Sequence, residues 1–282
     1  MLPKQVRRGI REIAQNRYAG ASELAMAALA VFEDYATSSK TLRRREAKEI
    51  ATSLRKAQPS MAAVASTAVR CLEDFSKDPS TYRRKLASLR RSYEGAKEKI
   101  ARRFSRLVKR DSTWVTVSYS SNVIRSLALA HSQIREVYVM ESRPLREGRT
   151  TARTLDGLGV RTTLVADALG PSMVLRADGV VIGADSVKTD GGVINKIGSL
   201  SLALACRFAR KPFYVLAERF KVADPGIVGT PRVVPQNPRE LVGASSLRGL
   251  NLYFEEVPGE LVTRILTERG ALRVRARPVR KK

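Results

Sequence analysis

"TWVTVSY", residues 113–119, marks the point at which the pattern of this sequence changes. The stretch is short and rich in β-branched and aromatic residues, which is typical of a strand. Four similar runs follow it: "EVYVME" (136–141), "RTTLVAD" (161–167), "DGVVIGAD" (178–185) and "PFYVLAE" (212–218). Helix-like segments separate most of these runs, which predicts right-handed βαβ units and a parallel sheet covered on both faces. A further candidate strand is "NLYFEEV" (251–257), after a Gly/Pro-rich connection at 225–249.

The residues before this point have a helical pattern throughout. It is clearest between Tyr82 and Val108, where apolar residues recur every three or four positions and Arg and Lys fill the other faces. This helix has a start signal in "KDPST" (77–81), and an earlier helix is interrupted by "QPS" (58–60). We therefore predict an α/β protein, with an N-terminal helical domain over residues 1–110 and a domain with a mainly parallel sheet over residues 111–282.

The charge of the chain leaves two interpretations open. The 282 residues carry 52 Lys and Arg against 27 Asp and Glu, a net charge of +25. The excess is spread over both halves, with a small concentration in the basic C-terminal tail "RVRARPVRKK" (273–282). Such a surface is typical of thermophilic proteins, and it also attracts RNA non-specifically. The sequence has no zinc-finger spacing and no aromatic ribonucleoprotein motif, so base-specific recognition is not predicted.

Cysteine and histidine are too scarce for the common metal sites. Cys71 and Cys206 cannot supply a zinc cluster, and the single histidine, His131, lies at the end of a predicted amphipathic helix and is interpreted as structural. We predict neither a metal nor a cofactor. The sequence also lacks a run of eighteen apolar residues and an apolar signal core, which favours a cytoplasmic protein without a membrane span.

Polar side chains follow each predicted strand at the point where it ends. They are Ser118, Ser120, Ser121 and Asn122, then Glu141, Ser142 and Arg143, and finally Asp167, Asp185 and Glu218. In a doubly wound sheet these positions share the carboxyl edge, where such sheets bind ligands. Helix N-caps explain some of them, but we favour a shared polar cleft over caps alone.

Residues 183–199, "GADSVKTDGGVINKIGS", concentrate further polar groups at this edge. Asp185 follows an apolar strand, while Asn195 and Lys196 follow a Gly-Gly turn. These three residues either hold a small polar ligand or belong to turns and solvated surface.

Four stretches together resemble the family of the alpha, beta and delta subunits of translation initiation factor 2B. They are "ESRPLREGRTTARTL", "GADSVKTDGGVINKIGS", "KPFYVLAERFK" and "NLYFEEVPGELVTRILTERG". The family also contains methylthioribose-1-phosphate isomerase and archaeal ribose-1,5-bisphosphate isomerase. The resemblance extends into the first half through "NRYAGASELA" and "QPSMAAV". It implies a helical N-terminal domain, a Rossmann-like C-terminal domain and a homodimer formed through the latter. In character the chain is most similar to an archaeal, thermophilic protein related to initiation factor 2B.

The resemblance also implies a ligand site. Asp185 matches the acid/base carboxylate that acts on sugar hydroxyls in the isomerases, and Asn195 and Lys196 match residues of the same pocket. Arg17 and Arg143 match positions at the phosphate end, which implies a sugar phosphate or a nucleoside monophosphate as ligand. The candidate ligand-binding residues are Arg17, Gly20, Ser118, Tyr119, Ser120, Ser121, Arg143, Asp185, Asn195 and Lys196.

Ser118 departs from the pattern of the isomerases, which carry a cysteine at this position. An aldose–ketose shift needs a group that gives and takes a proton near neutral pH, and a thiol of reference pKa about 8.5 can be tuned there. A serine hydroxyl without a neighbouring base cannot do the same. Tyr119 and Ser120 resemble the initiation-factor subunits instead. Gln58 and Glu255 also depart, since family members often carry arginine and aspartate at these positions.

Three functions remain as hypotheses. The first is a non-catalytic, initiation-factor-2B-like homodimer that binds a sugar phosphate or nucleoside monophosphate and acts through a protein partner in translation initiation. The second is an aldose–ketose isomerase that uses Asp185 as its catalytic residue, and Ser118 argues against it. The third is a nucleic-acid-binding protein, and the missing base-reading motif argues against that.

Overall fold

A computed structural model describes residues 2–223 and 230–272. Its helical half consists of α1 (Lys4–Gln15), α2 (Ala21–Thr37), α3 (Arg44–Ala57), α4 (Ala62–Glu73) and α5 (Pro79–Ser105). The break predicted at 58–60 is confirmed, since it separates α3 from α4. The long helix is also confirmed, three residues earlier than predicted. It begins where the carboxylate of Asp78 accepts a hydrogen bond of 2.8 Å from the N–H of Thr81 and Pro79 fills the first turn.

The first four helices pack as a ring. Helix α1 contacts α2 and α3, and α4 contacts the same two helices from the other side. Their shared core is almost fully buried and includes Leu24, Phe32, Ile50 and Leu54. Helix α2 also packs against α5, and α4 packs against a turn of the second half. This arrangement leaves α1 and α3 as the outer pair of the ring.

The second half is built around a seven-stranded sheet. Its strands are β1 (Ser112–Thr116), β2 (Ile134–Met140), β3 (Thr162–Val165), β4 (Gly179–Ile182), β7 (Phe213–Leu216), β9 (Arg264–Thr267) and β10 (Gly270–Leu272). They lie in the order β10-β9-β7-β4-β1-β2-β3, and all neighbours are parallel except β10 and β9. The five strands predicted from "TWVTVSY" to "PFYVLAE" are thereby confirmed, as is the mainly parallel sheet.

Helices cover the sheet and join its strands. They are α6 (Ser121–Leu129), α7 (Gly148–Gly157), α8 (Gly170–Val174), α9 (Ser199–Ala209) and the short α10 (Arg239–Val242). Apolar residues on the central strands, such as Val115, Val180 and Val215, are fully buried. The α/β architecture with a helical N-terminal region therefore agrees with the prediction.

The run "NLYFEEV" corrects the sequence prediction in one respect. Its residues do form a strand, β8 (Phe254–Val257), but this strand lies outside the main sheet. It pairs antiparallel with β6 (Val193–Lys196), which in turn forms a hairpin with β5 (Ser186–Val187). Residues 183–199 thus contain two strands of a small antiparallel sheet, because the Gly-Gly turn folds the chain back between β5 and β6.

The two halves share helix α5. Its first turns place Tyr82 and Leu86 in the core of the helical ring, whereas Ile100 and Phe104 pack in the core beneath the sheet. Phe104 meets Trp114 of β1 edge-on, with ring centroids 5.1 Å apart. The domain division at residue 110 stays a prediction, since α5 contributes to both cores.

Two predicted segments fall partly or wholly outside the described residues. The basic tail 273–282 is one of them, and residues 224–229 of the Gly/Pro-rich connection belong to the other. Among the described helices, none combines the length and apolar character needed to cross a membrane.

Candidate ligand-binding site

A cavity that is partly open to solvent lies between the loop before α2 and the carboxyl ends of the strands. Its lining includes nine of the ten residues proposed from the sequence: Arg17, Gly20, Ser118, Tyr119, Ser120, Ser121, Asp185, Asn195 and Lys196. The tenth, Arg143, is not among the lining residues. The structure therefore brings together polar groups from both halves of the chain, separated by up to about 180 positions in sequence.

Two helix N-termini face this cavity. Helix α2 starts after Gly20, and helix α6 starts after Ser120, whose hydroxyl accepts a hydrogen bond of 3.4 Å from the N–H of Val123. Both ends contribute residues to the lining. Since free backbone N–H groups and the positive end of the helix dipole favour anions, this wall of the cavity suits a phosphate.

Gly183 allows β4 to approach helix α6 at this wall. A Cβ atom at this position would lie 2.5 Å from the hydroxyl oxygen of Ser120 and 2.7 Å from its Cβ. Such a contact is closer than packed atoms tolerate. The glycine of the Gly-Ala-Asp motif thus lets the strand end reach the helix terminus, which positions the aspartate two residues later.

Asp185 lies in the cavity and is 9% exposed. Its N–H donates to the carbonyl oxygen of Ile194 at 2.9 Å, which fixes it against the β5–β6 hairpin. Burial raises the pKa of its carboxyl to about 6, although Lys221 and Lys196 oppose this rise. A carboxyl with such a pKa can give or take a proton near neutral pH.

Lys196 is held beneath the cavity by an acidic partner that the sequence analysis did not identify. Its ammonium lies 2.7 Å from Oε1 of Glu147, and both side chains are largely buried. The hydroxyl of Ser118 donates to the same oxygen at 2.7 Å. The ammonium also lies 5.1 Å from the ring centroid of Tyr253, within reach of a cation–π interaction. Ser118, Glu147 and Lys196 therefore form one hydrogen-bonded group.

A second buried pair borders the cavity on another side. The ammonium of Lys221 lies 3.1 Å from the carboxylate of Glu218, which also accepts a hydrogen bond of 2.8 Å from Ser22. Burial by itself would raise the pKa of Glu218, but Lys221 and Ser22 outweigh it and the pKa is lowered. Glu218 was proposed as a strand-end residue, whereas Lys221, which lines the cavity, was missed.

Arg17 reaches the mouth of the cavity and pairs with α10. One of its terminal nitrogens lies 2.9 Å from Glu240, and the guanidinium is about half exposed. Glu240 also accepts hydrogen bonds from the side chains of Asn251 and Tyr253. A ligand phosphate at Arg17 has to compete with this carboxylate.

Arg143, which the sequence analysis assigns to the phosphate end, is not among the residues that line the cavity. Its backbone N–H donates to Asp167 at 2.8 Å, as does the N–H of Ser142 at 2.7 Å. The chain then turns through Pro144, so that Leu145 and Glu147 reach the cavity instead. Asp167, another strand-end residue, thus organises this loop and does not line the cavity.

Partners within the fold are found for the strand-end residue Glu141 and for Gln58 and Glu255, which depart from the family pattern. Glu141 pairs with Arg149 on the surface. The amide of Gln58 donates to the carbonyl oxygens of Ile13 and Asn16 at 2.8 and 3.1 Å, at the end of α1. Glu255 accepts a hydrogen bond of 2.9 Å from the N–H of Leu200 in the first turn of α9. These three positions therefore serve the fold.

The missed residues carried weak signals in the sequence. Lys221 follows Glu218 by three positions in a quoted motif, a spacing that allows contact on one helical turn. Glu147 lies in "PLREGR" among several charged residues, and nothing local distinguishes it from surface charge. In residues 2–223 and 230–272 no group of three or more His, Cys, Asp or Glu side chains is arranged to hold a metal ion. His131 is exposed, and its ring nitrogen bonds to the carbonyl of Ala128 at the end of α6.

Comparisons with known proteins agree with this architecture. A family model described as the initiation factor 2 subunit family matches residues 17–274. A Pyrococcus horikoshii protein named as translation initiation factor eIF-2B subunit 2-like is 31% identical, over 96% of this chain and 97% of its own length. Ribose 1,5-bisphosphate isomerase of Archaeoglobus fulgidus is 32% identical, over 64% of this chain and 59% of its own. The crystal structure of a Pyrococcus horikoshii translation initiation factor eIF-2B superimposes with a TM-score of 0.85 at 27% identity, covering 96% of this chain and 98% of that one.

Proposed function

The chain belongs to the initiation factor 2 subunit family, and we propose that it binds a sugar phosphate or nucleoside monophosphate without isomerising it. The relatives carry names of both kinds, initiation factor and isomerase. Membership of the family therefore does not decide between binding and catalysis, and the chemistry of the cavity has to decide it.

The observation that carries the proposal is the hydrogen bond between Ser118 and Glu147. A serine can act in proton transfer only when a base withdraws its proton. The carboxylate of Glu147 is the acceptor of that hydroxyl, but the ammonium of Lys196 lies 2.7 Å from the same oxygen. A proton moved from Ser118 onto this oxygen would leave the buried ammonium of Lys196 without its ion pair. Ser118 is thus fixed as a hydrogen-bonding residue.

The rest of the cavity suits binding of a phosphorylated ligand. The N-termini of α2 and α6 offer backbone N–H groups, and Arg17 adds a guanidinium at the mouth. Asp185 and Asn195 also line the cavity, where they can hold sugar hydroxyls. We place the phosphate near Ser120 and Ser121 and the hydroxyls near Asp185.

The proposal extends to partners. Relatives are named as translation initiation factor subunits, which supports action through a protein of the translation machinery in the cytoplasm. We further propose a homodimer formed through the α/β half. Light scattering at micromolar concentration and moderate salt should give twice the chain mass of 31.1 kDa. A single-chain mass would contradict the dimer.

An isomerase is the second candidate, and one observation favours it. Asp185 has a pKa of about 6, the range in which a carboxyl serves as general acid and base. Such an enzyme would need a second proton-transfer group in place of the family thiol. Ser118 is the residue at that position, and its hydroxyl is already committed to Glu147.

Calorimetry and an isomerase assay test the two candidates together. We expect ligands from a panel of sugar phosphates and nucleoside monophosphates to bind, with no turnover of ribose-1,5-bisphosphate or methylthioribose-1-phosphate. Arg17→Ala should weaken binding roughly tenfold because it removes a charge-assisted hydrogen bond. Arg143→Ala is the matched control and should change the affinity less than about twofold. Turnover near roughly 1 per second would establish the isomerase instead, and a panel without any binder would refute the site.

A further inference from the structure

Charge is segregated within the helical ring. The outer helices α1 and α3 together carry nine Lys and Arg but three Glu, whereas the inner helices α2 and α4 carry one Arg and four acidic residues. Helix α5 also carries nine Lys and Arg against two Glu, but Arg90 and Arg102 are paired with Glu33 and Glu98. The inner helices are largely buried, so the cations of the first four helices lie mainly on α1 and α3.

The nine cationic residues of α1 and α3 form what we call the outer basic face. They are Lys4, Arg7, Arg8, Arg11, Arg44, Arg45, Lys48, Arg55 and Lys56, and all are exposed. Within the described residues, Arg8 alone among them has an ion pair, a surface contact of 3.6 Å with Glu12. Arg44 lies over the ring of Phe75. The face therefore keeps most of its charge available to a partner.

The two helices pack against each other. Gln58, just beyond the end of α3, bonds to the carbonyl oxygens of Ile13 and Asn16 at the end of α1, so both helices end together. At 1.5 Å per residue they are about 18 and 21 Å long, with axes about 8–10 Å apart. The outer basic face is thus a strip formed by two adjacent helices.

None of the nine cations of this strip lines the ligand cavity, and the strip has no exposed large apolar side chain. Large apolar side chains that are exposed elsewhere, such as Phe208 and Leu250, have no counterpart on α1 or α3. A helix that lies in a membrane surface inserts an apolar face, and these helices bury theirs in the ring. Single-stranded nucleic acid is bound through stacked aromatic residues, which the strip also lacks.

We propose that the outer basic face binds the phosphodiester backbone of double-stranded RNA without reading its sequence. Arginine suits phosphate because its planar guanidinium donates two parallel hydrogen bonds, and six of the nine residues are arginine. The wide, shallow minor groove of A-form RNA lets a two-helix strip reach phosphates without a protruding reader. This activity is independent of the ligand cavity.

Fluorescence anisotropy with a 20-base-pair RNA duplex in 100 mM KCl tests the proposal. The variant Arg7→Ala/Arg11→Ala/Lys48→Ala removes three exposed charges of the strip. The matched control, Arg153→Ala/Arg176→Ala/Arg207→Ala, removes three exposed charges of the α/β half, so both proteins have the same net charge. We expect the first to bind at least tenfold more weakly than wild type and the control less than threefold. The slope of log affinity against log salt should fall by about one for each phosphate that the variant no longer neutralises.

Each other outcome overturns the proposal. Equal weakening by both variants would assign the attraction to net charge alone, and no weakening would remove the strip from RNA binding. Tighter binding to a DNA duplex, to anionic vesicles or to an acidic peptide under the same conditions would assign the strip to that partner. Failure of wild type to bind the RNA duplex at this salt concentration would also refute the assignment. Circular dichroism of both variants should match wild type, since the substituted side chains are exposed.

Discussion

The cavity and the outer basic face place cationic side chains in opposite environments. In the cavity, Lys196 and Lys221 are nearly fully buried, and each has a carboxylate within 3.1 Å. On the outer basic face, Arg11 and Lys48 are exposed and have no acidic partner within the described residues. A buried charge must be paired because desolvation is costly, whereas an exposed one is solvated by water. A cation in the cavity therefore both stabilises the fold and forms part of the site. A cation on the strip is available only for binding a partner.

Loss of a buried cation should have the largest effect. Lys196→Met leaves the carboxylate of Glu147 buried without its ion pair, so we expect a loss of about 3–5 kcal/mol in the free energy of unfolding. The control is Lys188→Met, which removes a more exposed pair with Glu256 and should cost less than about 1 kcal/mol. Urea denaturation of both variants measures the two losses in the free energy of unfolding. Similar losses would contradict the difference between buried and exposed cations.

The pH dependence of stability sharpens the same contrast. Burial raises the pKa of Asp185 in the folded state to about 6 from its ordinary value of 3.8. Stability is therefore lost as pH rises from about 4 to about 6, where the unfolded chain ionises and the folded one does not, and it stays at the lower level above pH 6. Asp185→Asn should therefore gain stability relative to wild type as pH rises from about 4 to about 7, by up to roughly 3 kcal/mol. Denaturation at several pH values measures this gain.

Asp78 is the control with the opposite sign. Hydrogen bonds from Thr81 and Ser80 lower the pKa of this exposed helix cap. Its contribution to stability is present near neutral pH and is lost as pH falls below about 4. Asp78→Asn should differ from wild type most above pH 4 and converge with it in acid. If Asp78→Asn and Asp185→Asn changed the pH dependence of stability in the same direction, the role of burial at Asp185 would be contradicted.

Packing at the cavity wall should give the next effect. Gly183→Ala places a Cβ atom 2.5 Å from the hydroxyl of Ser120, and we expect a loss of about 1–3 kcal/mol together with weaker phosphate binding. Gly95→Ala, in the middle of α5 where a Cβ meets nothing within 4 Å, should instead stabilise by about 0.5–1 kcal/mol. Thermal unfolding measures both changes in stability. If both substitutions stabilised the protein, the wall would not be tightly packed.

Substitution on the outer basic face should have the smallest effect on stability. Arg11→Ala and Lys48→Ala each remove an exposed side chain, and the free energy of unfolding should change by less than about 0.5 kcal/mol. The same denaturation experiment measures it. A loss comparable to that of Lys196→Met would mean that the strip stabilises the fold.

The sequence predicted most elements because local patterns are short-range. The apolar stripe of α5 and the β-rich runs of the main sheet depend on residue types at fixed spacing, which can be counted along the chain. The separation of β8 from the main sheet could not be predicted in this way. Pairing of β8 with β6 depends on Asn195 meeting Glu255, sixty positions away, and on the turn that precedes β6.

The residues of the candidate site also fall into those that local sequence patterns predict and those that only the tertiary structure identifies. Asp185, Ser118 and Ser120 follow strands of a parallel sheet, and this position by itself places them at one edge. The sequence therefore determined the fold class and nine of the residues that line the cavity. Only the tertiary structure decided that Glu147 and Lys221 line it and that Arg143 does not. The physical reason is that a charged side chain in a loop has the same local pattern whether it is solvated or buried, and its role depends on the partner that folding brings within hydrogen-bonding distance.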